Sequence, residues 1–417
     1  MDKLQAVKGM NDVLPPASAK WLHVERLARR IAEAHGYREV RPPIVEPTAL
    51  FARSIGEATD VVEKEMYTFD DRDGKSLTLR PEGTAGAVRA FVEHAVAGTS
   101  PVTRWYYVGP MFRHERAQRG RYRQFYQFGI ECYGVAEASV EAEQIAILHQ
   151  LFTELGIAGL DVIVNSVGGP EDRAAYKVAL VAWLTPKKDQ LCTDCQRRLG
   201  TNPLRVLDCK NPSCQALVVD APPIADSLGD AAKAHFAGCR AALEALGVPH
   251  RTDPKLVRGL DYYTGTTFEL KASGGDLGAQ NTIAGGGRYD GLLRELGGPD
   301  VPAVGWAFGL ERVVLSMPGE DASFEPKLDV FVIALGEQPR LRALTLAKEL
   351  RAAGLAVDLE HRVASMKAQM KRADKSGAHH VIVVGDDELT KGVAQVRDMR
   401  ASTQREVALG ELAAALR

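Results

Sequence analysis

The densest chemistry in the sequence lies in "RWYYVGPMFRHERAQRGRYRQFYQFGIECYG", residues 104–134. Six arginines and one acidic residue, Glu115, fall between Arg104 and Arg123. A planar guanidinium matches two oxygens at once, so fixed arginines suit a polyanionic phosphate. The run reads as strand, turn at "AQRG", strand. Side chains alternate along a strand, which puts Arg113 and Glu115 on one face of the first. On the second, Phe125, Gln127, Gly129 and Glu131 share a face, and Tyr126, Phe128, Ile130 and Cys132 form core on the other. One sheet face then offers Arg, Glu, Gln and Glu, with Gly129 leaving space between two of them. Carboxylates placed there would recognise an ammonium, an exocyclic amine or an imidazole N–H. A solvated polar sheet face is the plainer reading of the same pattern.

Four further runs carry polar groups in unusual company. "LTLRPEGTAGAVRAF" (77–91) brings Arg80, Glu82 and Thr84 to a strand-to-helix junction, where Glu82 also suits the helix dipole. "RGLDYYTGTTFE" (258–269) is a sheet-forming run that begins with Arg258. If it is a regular strand, Tyr262 and Tyr263 face opposite ways, and Gly265 lets it pass close to its neighbours. "IAGGGRYDGLL" (283–293) sets three glycines beside an arginine and Tyr289 and satisfies neither a Walker nor a dinucleotide fingerprint. Glycines in a strand mark the approach of another backbone or a flat ligand, or a plain loop. "AVGWAFGLERVVL" (303–315) leads into a helix carrying Arg312, which suits a phosphate site or close strand–helix packing.

These groups need a scaffold, and the pattern predicts one. Lys20–His35 reads as an amphipathic helix ending at Gly36, and "YREVRPPIVEP" as a strand broken by prolines. Helices are expected over Glu82–Val96 and Glu137–Leu155. Residues of about 170–253, rich in Ala and Leu, read as a mostly helical insertion. Strand-like sequence resumes at Asp261 and continues to Trp306. "PGEDASFEPK" (318–327) reads as a linker. Beyond it, apolar strands alternate with helices, which predicts a small α/β domain with a largely parallel sheet. The domains expected are 1–325 and 326–417.

The chain has 417 residues, enough for two or three domains, and an ordinary globular composition. The net charge of −2 gives no global sign of nucleic acid. The first residues lack the apolar core of a signal peptide, and no apolar run approaches the ~18 residues of a membrane span. A soluble cytoplasmic protein with reduced thiols, and no membrane partner, is expected. From Lys327 onward there are 15 Lys and Arg against 12 Asp and Glu, a difference of +3. Arg362, Lys367, Lys371 and Lys375 recur roughly every helical turn, as a solvated face or as a phosphate-binding one. Cys192, Cys195, Cys209 and Cys214 form C-x₂-C, thirteen residues, then C-x₄-C. The spacing is compatible with structural zinc or with ordinary reduced thiols.

Together these runs resemble the class II aminoacyl-tRNA synthetases, and among them the bacterial-type histidyl-tRNA synthetases, over nearly the whole chain. "GYREVRPPIVEPTALF", "FRHERAQRGRYRQF" and "AVGWAFGLERVVL" look like the three class II motifs, with Pro43 at the dimer-interface position. "RGLDYYTGTTFE" and "AGGGRYDGL" look like the two signatures peculiar to the histidyl enzymes. The resemblance implies an α+β catalytic domain with a mainly antiparallel sheet flanked by helices, and a C-terminal α/β anticodon-binding domain. It implies ATP with Mg²⁺, L-histidine and histidine tRNA as substrates, a homodimer, and a two-step ligation through histidyl-adenylate. Zinc is not called for.

By the same resemblance, Arg113 and Arg258 act at the α-phosphate, where Arg258 takes a place filled by a metal ion in related synthetases. Arg113 and Arg312 hold the phosphates of ATP, aided by Arg121, and Glu115 reads the adenine amino group with Arg123 nearby. Histidine falls to Glu82, Gly83, Thr84, Arg113, Gln127, Arg258 and Tyr262, with Glu131 and Tyr263 on the imidazole nitrogens and Tyr289 closing the pocket. Arg116, Gln118, Arg362, Lys367, Lys371 and Lys375 face tRNA. The alternative is a synthetase-like regulatory paralogue that does not aminoacylate.

Overall fold

The computed structural model describes residues 3–56, 59–274 and 281–416. Part of the strand-like run from Asp261 to Trp306, residues 275–280, lies outside them. The chain divides into two compact units, 1–323 and 324–417.

The first unit is organised by an eight-stranded sheet. Its order is Arg38–Glu39, Thr103–Phe112, Gln124–Tyr133, Ala303–Gly309, Thr282–Arg288, Thr264–Ala272, Leu160–Ser166 and Arg251–Thr252. The six inner strands are antiparallel throughout. The two-residue strands at the edges pair parallel. Alternation along the hairpin sends Phe128, Ile130 and Cys132 into the core. There Phe128 stacks on Tyr106 and Phe308. "YREVRPPIVEP" does not form one strand. Its two halves join different sheets, Val45–Pro47 entering a three-stranded sheet with Ser76–Leu79 and Tyr67–Asp70.

Helices cover the sheet. Ala17–Ala34 buries Val24, Ala28, Ile31 and Ala32, the spacing of one helical face. Ser139–Glu154 is buried on most sides. Its Glu141, wholly buried, pairs with Arg288 and with His235 at 2.6 Å. Arg288, the arginine after the three glycines, thereby anchors the sheet to the helix Asp230–Ala245. The insertion is helical from Pro170 onward, with several short segments between Thr193 and Leu217. It has its own core of Tyr176, Leu180, Leu184, Val206 and neighbours.

In the second unit a five-stranded sheet runs Val357–Leu359, Val330–Leu335, His380–Gly385, Val393–Asp398, Thr403–Ala408. The first three strands are parallel; the last two add antiparallel pairings. The sheet is therefore mixed rather than largely parallel, because a closing hairpin follows the α/β part. Among the described residues no helix is long and apolar enough to cross a membrane.

Candidate active site

A cavity of about 1230 Å³ opens over the polar face of the large sheet. Single small-molecule sites usually occupy ~300–1,000 Å³, so the space suits a composite ligand. Arg113, Glu115, Arg121, Gln127, Arg258, Tyr263, Tyr289 and Arg312 all line it, as do Glu82, Thr84 and Tyr262.

Its cationic part is built by three separate elements. Arg113 follows the strand Thr103–Phe112, donates from Nε to the Pro81 carbonyl at 2.8 Å and lies over the Phe125 ring. Arg312, on the helix Leu310–Ser316, donates to the carbonyls of Gly120 and Thr282 at 3.2 and 2.8 Å. Burial, and then the nearby guanidiniums of Arg121 and Arg113, pull Arg312 below its usual pKa. Crowded guanidiniums of this kind suit a polyanion. Arg258 pairs with Glu269, which also accepts from the Thr282 hydroxyl at 3.0 Å. The Arg258 Nε is buried and has no partner among the described residues.

The floor is carboxylate and phenol. Glu131 is wholly buried, and accepts a hydrogen bond from the Tyr289 hydroxyl, while its Oε1 has no partner among the described residues. Burial pushes its carboxyl up to about 8, against the pull of Tyr289 and Thr84. Glu131 does not itself line the cavity; Tyr289 and Gly305 do, and its carboxylate packs on that glycine. The Gln127 Oε1 is likewise buried and unpartnered among the described residues. Glu82 caps the helix Thr84–Glu93, accepting from the backbone N–H groups of Thr84 and Ala85, each at 2.7 Å. Burial raises its pKa.

Several residues sit otherwise than the sequence pattern predicts. The first hairpin strand ends at Phe112, so Glu115 lies in the loop rather than on a strand face. There it receives Arg121 at 3.0 Å. The space at Gly129 is filled: Tyr107, directly opposite in the sheet, lays its ring where a Cβ would stand on Gly129 or Gly83. Gly83 is thus a point of close packing. Regular strand begins only at Thr264, so Arg258–Tyr263 is irregular and the two tyrosines stay together, rings 4.7 Å apart. Gly265 has φ +60°, a backbone only glycine adopts cheaply; a Cβ there would meet Arg288 at an ordinary 3.4 Å. Its role is conformational, not close approach. Arg80 knits backbone, donating to the Pro42 and Pro110 carbonyls. Arg123 packs against Gly9, outside the cavity lining. Arg116 and Gln118 are exposed on the hairpin loop.

Sequence reasoning overlooked Tyr107, Glu269 and Glu311. Glu311 is buried beside the cavity, accepts the Tyr126 N–H at 2.9 Å, and is raised to about 7 by burial. Glu269 closes the run 258–269 that Arg258 opens, and their opposite charges were the available signal.

In the second unit, Lys367, Lys371 and Lys375 are exposed along one face of the helix Met366–Ser376. Arg362 precedes that helix and pairs with Glu360 at 3.1 Å, so it does not continue the stripe.

An antiparallel sheet carrying arginines over a buried carboxylate floor, joined to a separate α/β unit, is the class II aminoacyl-tRNA synthetase arrangement. The histidyl-tRNA synthetase family model matches residues 9–169 and 215–313, and the anticodon binding domain model matches 329–417. The histidine–tRNA ligase of Sorangium cellulosum is 51% identical over 407 residues, 98% of this chain and 94% of that protein. That of Syntrophotalea carbinolica is 49% identical over 413 residues, 99% and 98% of the two chains. The crystal structure of apo Staphylococcus aureus histidyl-tRNA synthetase superposes with a TM-score of 0.83 at 37% identity, covering 99% of this chain and 100% of that one. The chain belongs to the histidyl-tRNA synthetase family.

Proposed function

We propose that this protein ligates L-histidine to its cognate tRNA. The histidine carboxylate attacks the α-phosphorus of ATP, releasing pyrophosphate and forming histidyl-adenylate. The terminal 3′-hydroxyl of the tRNA then attacks the activated carbonyl and AMP departs. The observation that carries this reading is the convergence of Arg113, Arg258 and Arg312 in one cavity with Tyr289, whose hydroxyl donates to the buried Glu131 behind it. Phosphates and a nitrogenous ring are what such groups bind.

Positioning and charge neutralisation do most of the work in such a transfer. Arg113 and Arg258 flank the α-phosphate; Arg312 and Arg121 hold the rest. Mg²⁺ enters with ATP as part of the substrate, on its β- and γ-phosphates. Glu115 takes the adenine amino group, and Arg123 supports that loop, donating to the Glu115 carbonyl at 3.4 Å. Glu82, Thr84 and Gln127 receive the α-ammonium. Gly83 and Tyr262 shape the pocket around them. Glu131 and Tyr263 face the imidazole nitrogens, and Tyr289 closes over it. An amino acid lacking those nitrogens leaves buried polar groups unpaired, which discriminates by ~10⁴ or more.

The second unit binds the anticodon end of the tRNA through Lys367, Lys371 and Lys375, with Arg362 alongside, while Arg116 and Gln118 meet the acceptor end. Pro43, Ile44 and Val45 are exposed together, which suits a homodimer contact. The working compartment is the cytoplasm. ATP–pyrophosphate exchange across the twenty amino acids tests the central claim. Exchange with histidine alone is expected; exchange with none would favour a regulatory paralogue.

A further inference from the structure

The family match stops at residue 169 and resumes at 215. The segment between holds four cysteines, and the fold brings them to one point. The sulfurs of Cys192, Cys195, Cys209 and Cys214 all lie within 4.8 Å of one another. The Cys192 and Cys209 sulfurs are 3.8 Å apart. Four thiolates at ~2.3 Å around a tetrahedral zinc have sulfur–sulfur edges of about 3.8 Å.

Buried thiols also pack as small apolar groups. Packing needs burial alone; it does not need four sulfurs from two separate turns to meet at a common centre. Cys132 and Cys239 show the ordinary case, each buried and each outside the cluster. Backbone donors already point at the sulfurs: Cys192 N–H to Cys214 Sγ at 3.2 Å, and Asn211 N–H to Cys209 Sγ at 3.4 Å. Such bonds stabilise thiolate charge. The surrounding helices Thr193–Thr201, Leu204–Leu207 and Pro212–Leu217 are short. Helices of this length are marginal alone and gain most from a metal staple.

We propose that Cys192, Cys195, Cys209 and Cys214 hold a structural zinc ion in the insertion of this protein. On binding, four Zn–S bonds form and four thiol protons leave to solvent. The site stands at the cavity wall, where Cys192 and Cys209 are among the lining residues. The chain between the two cysteine pairs carries Asn202 and Arg205. Asn202 donates to both carboxylate oxygens of Asp261 at 2.7 and 2.8 Å. The metal would therefore brace the loop that bears Arg258, Tyr262 and Tyr263.

The test uses the full untagged chain, expressed in zinc-containing medium and purified without chelator. Elemental analysis should find one zinc per chain. Cobalt substitution should give the intense visible bands of a tetrahedral thiolate site. Cys192→Ser and Cys214→Ser should each lose the metal, whereas Cys132→Ser and Cys239→Ser should keep it. Clearly substoichiometric zinc in the unsubstituted protein overturns the proposal, as does zinc retained in full by Cys192→Ser. The measurement on the unsubstituted protein decides the matter even where a serine variant fails to fold. It is also independent of aminoacylation, so its failure leaves the proposed activity standing.

Discussion

The guanidinium of Arg258 lies directly over the bare Cα of Gly285, so that a Cβ there would fall inside the radii of both terminal nitrogens. The obstacle is the far end of a flexible side chain, which can swing aside. Gly285→Ala should therefore fold with little loss of stability while displacing Arg258 from the cavity. A misplacement of about 1 Å in a reacting group costs on the order of 10²-fold in rate. Adenylation, read by pyrophosphate exchange, should fall by that order, and transfer from preformed adenylate much less. Arg258→Ala should share the signature; equal losses in both half-reactions would remove Arg258 from the α-phosphate.

One residue on, the same substitution should act differently. A Cβ on Gly286 would meet the carbonyl oxygen of Gly305 and the Cα of Trp306, which are backbone and cannot swing away. Gly286→Ala should cost stability, about 1–3 kcal/mol as an overpacked core site. Thermal or denaturant unfolding compares the pair: a lower midpoint for Gly286→Ala than for Gly285→Ala is expected.

Glu131 sets a pH prediction. Its carboxyl is raised from an ordinary 4.5 to about 8, chiefly by burial, so the free enzyme at neutral pH holds it protonated. A complex in which Glu131 and the imidazole share one proton neither takes up nor releases protons between ~6.5 and about 8. Below that window the charged substrate must lose a proton; above it the enzyme must regain one. Histidine affinity should be flat inside the window and fall on both sides. Glu131→Gln should abolish the part of the upper limb that Glu131 contributes, besides weakening binding. The folded-state shift also means that the apo stability it contributes is full below about 4.5, declines as pH rises from there, and is gone above about 8, a slope the glutamine variant should lack. Parallel pH profiles of histidine KM and of Tm check both.

How far this was legible in the sequence depended on whether a residue acts through its own strand or through a neighbour. Alternation alone located Phe128, Ile130 and Cys132 in the core and gathered Gln127, Gly129 and Glu131 on one face. Tyr107 was not found, because its place opposite Gly129 needs the hairpin register. The turn pairs Gln118 with Arg121, yet the strands pair Phe112 with Gln124. The irregular residues between absorb the difference, so a register counted from the turn would have been wrong. The tyrosine pair failed for a related reason. Period-two logic separates Tyr262 from Tyr263 only where the backbone is extended, and the strand begins after both.

Asn202 offers a test of remote positioning. It reaches Asp261 from the insertion, and Arg173 donates to the carbonyls of Asp261 and Tyr263 at 3.2 and 2.9 Å. Asn202→Ala should leave ATP use near normal while raising the histidine KM several-fold, because the loop it holds carries the tyrosines. Asn202→Asp, which sets a carboxylate against a carboxylate, should be worse than alanine. Steady-state exchange with each substrate varied separately distinguishes this from general destabilisation, which would lower kcat alone through the active fraction.

The lysine stripe of the second unit gives the clearest separation of binding from chemistry. Lys367, Lys371 and Lys375 lie exposed on one helix face, and contacts of this kind position a nucleic acid without reading it. Replacing all three by alanine should leave pyrophosphate exchange unchanged, raise the tRNA KM, and flatten the salt dependence of tRNA binding by about one unit of slope per lost contact. Arg362 should matter less. Its guanidinium is committed to Glu360, whose carboxyl Arg362 holds down at about 2. Releasing that guanidinium to a phosphate would leave the carboxylate with the Arg362 backbone N–H at 3.0 Å and Arg372 at 2.8 Å as partners, with one cation fewer beside it. A flat salt slope already in the unsubstituted protein, or a larger effect from Arg362→Ala than from the triple lysine variant, would move the tRNA path off this helix.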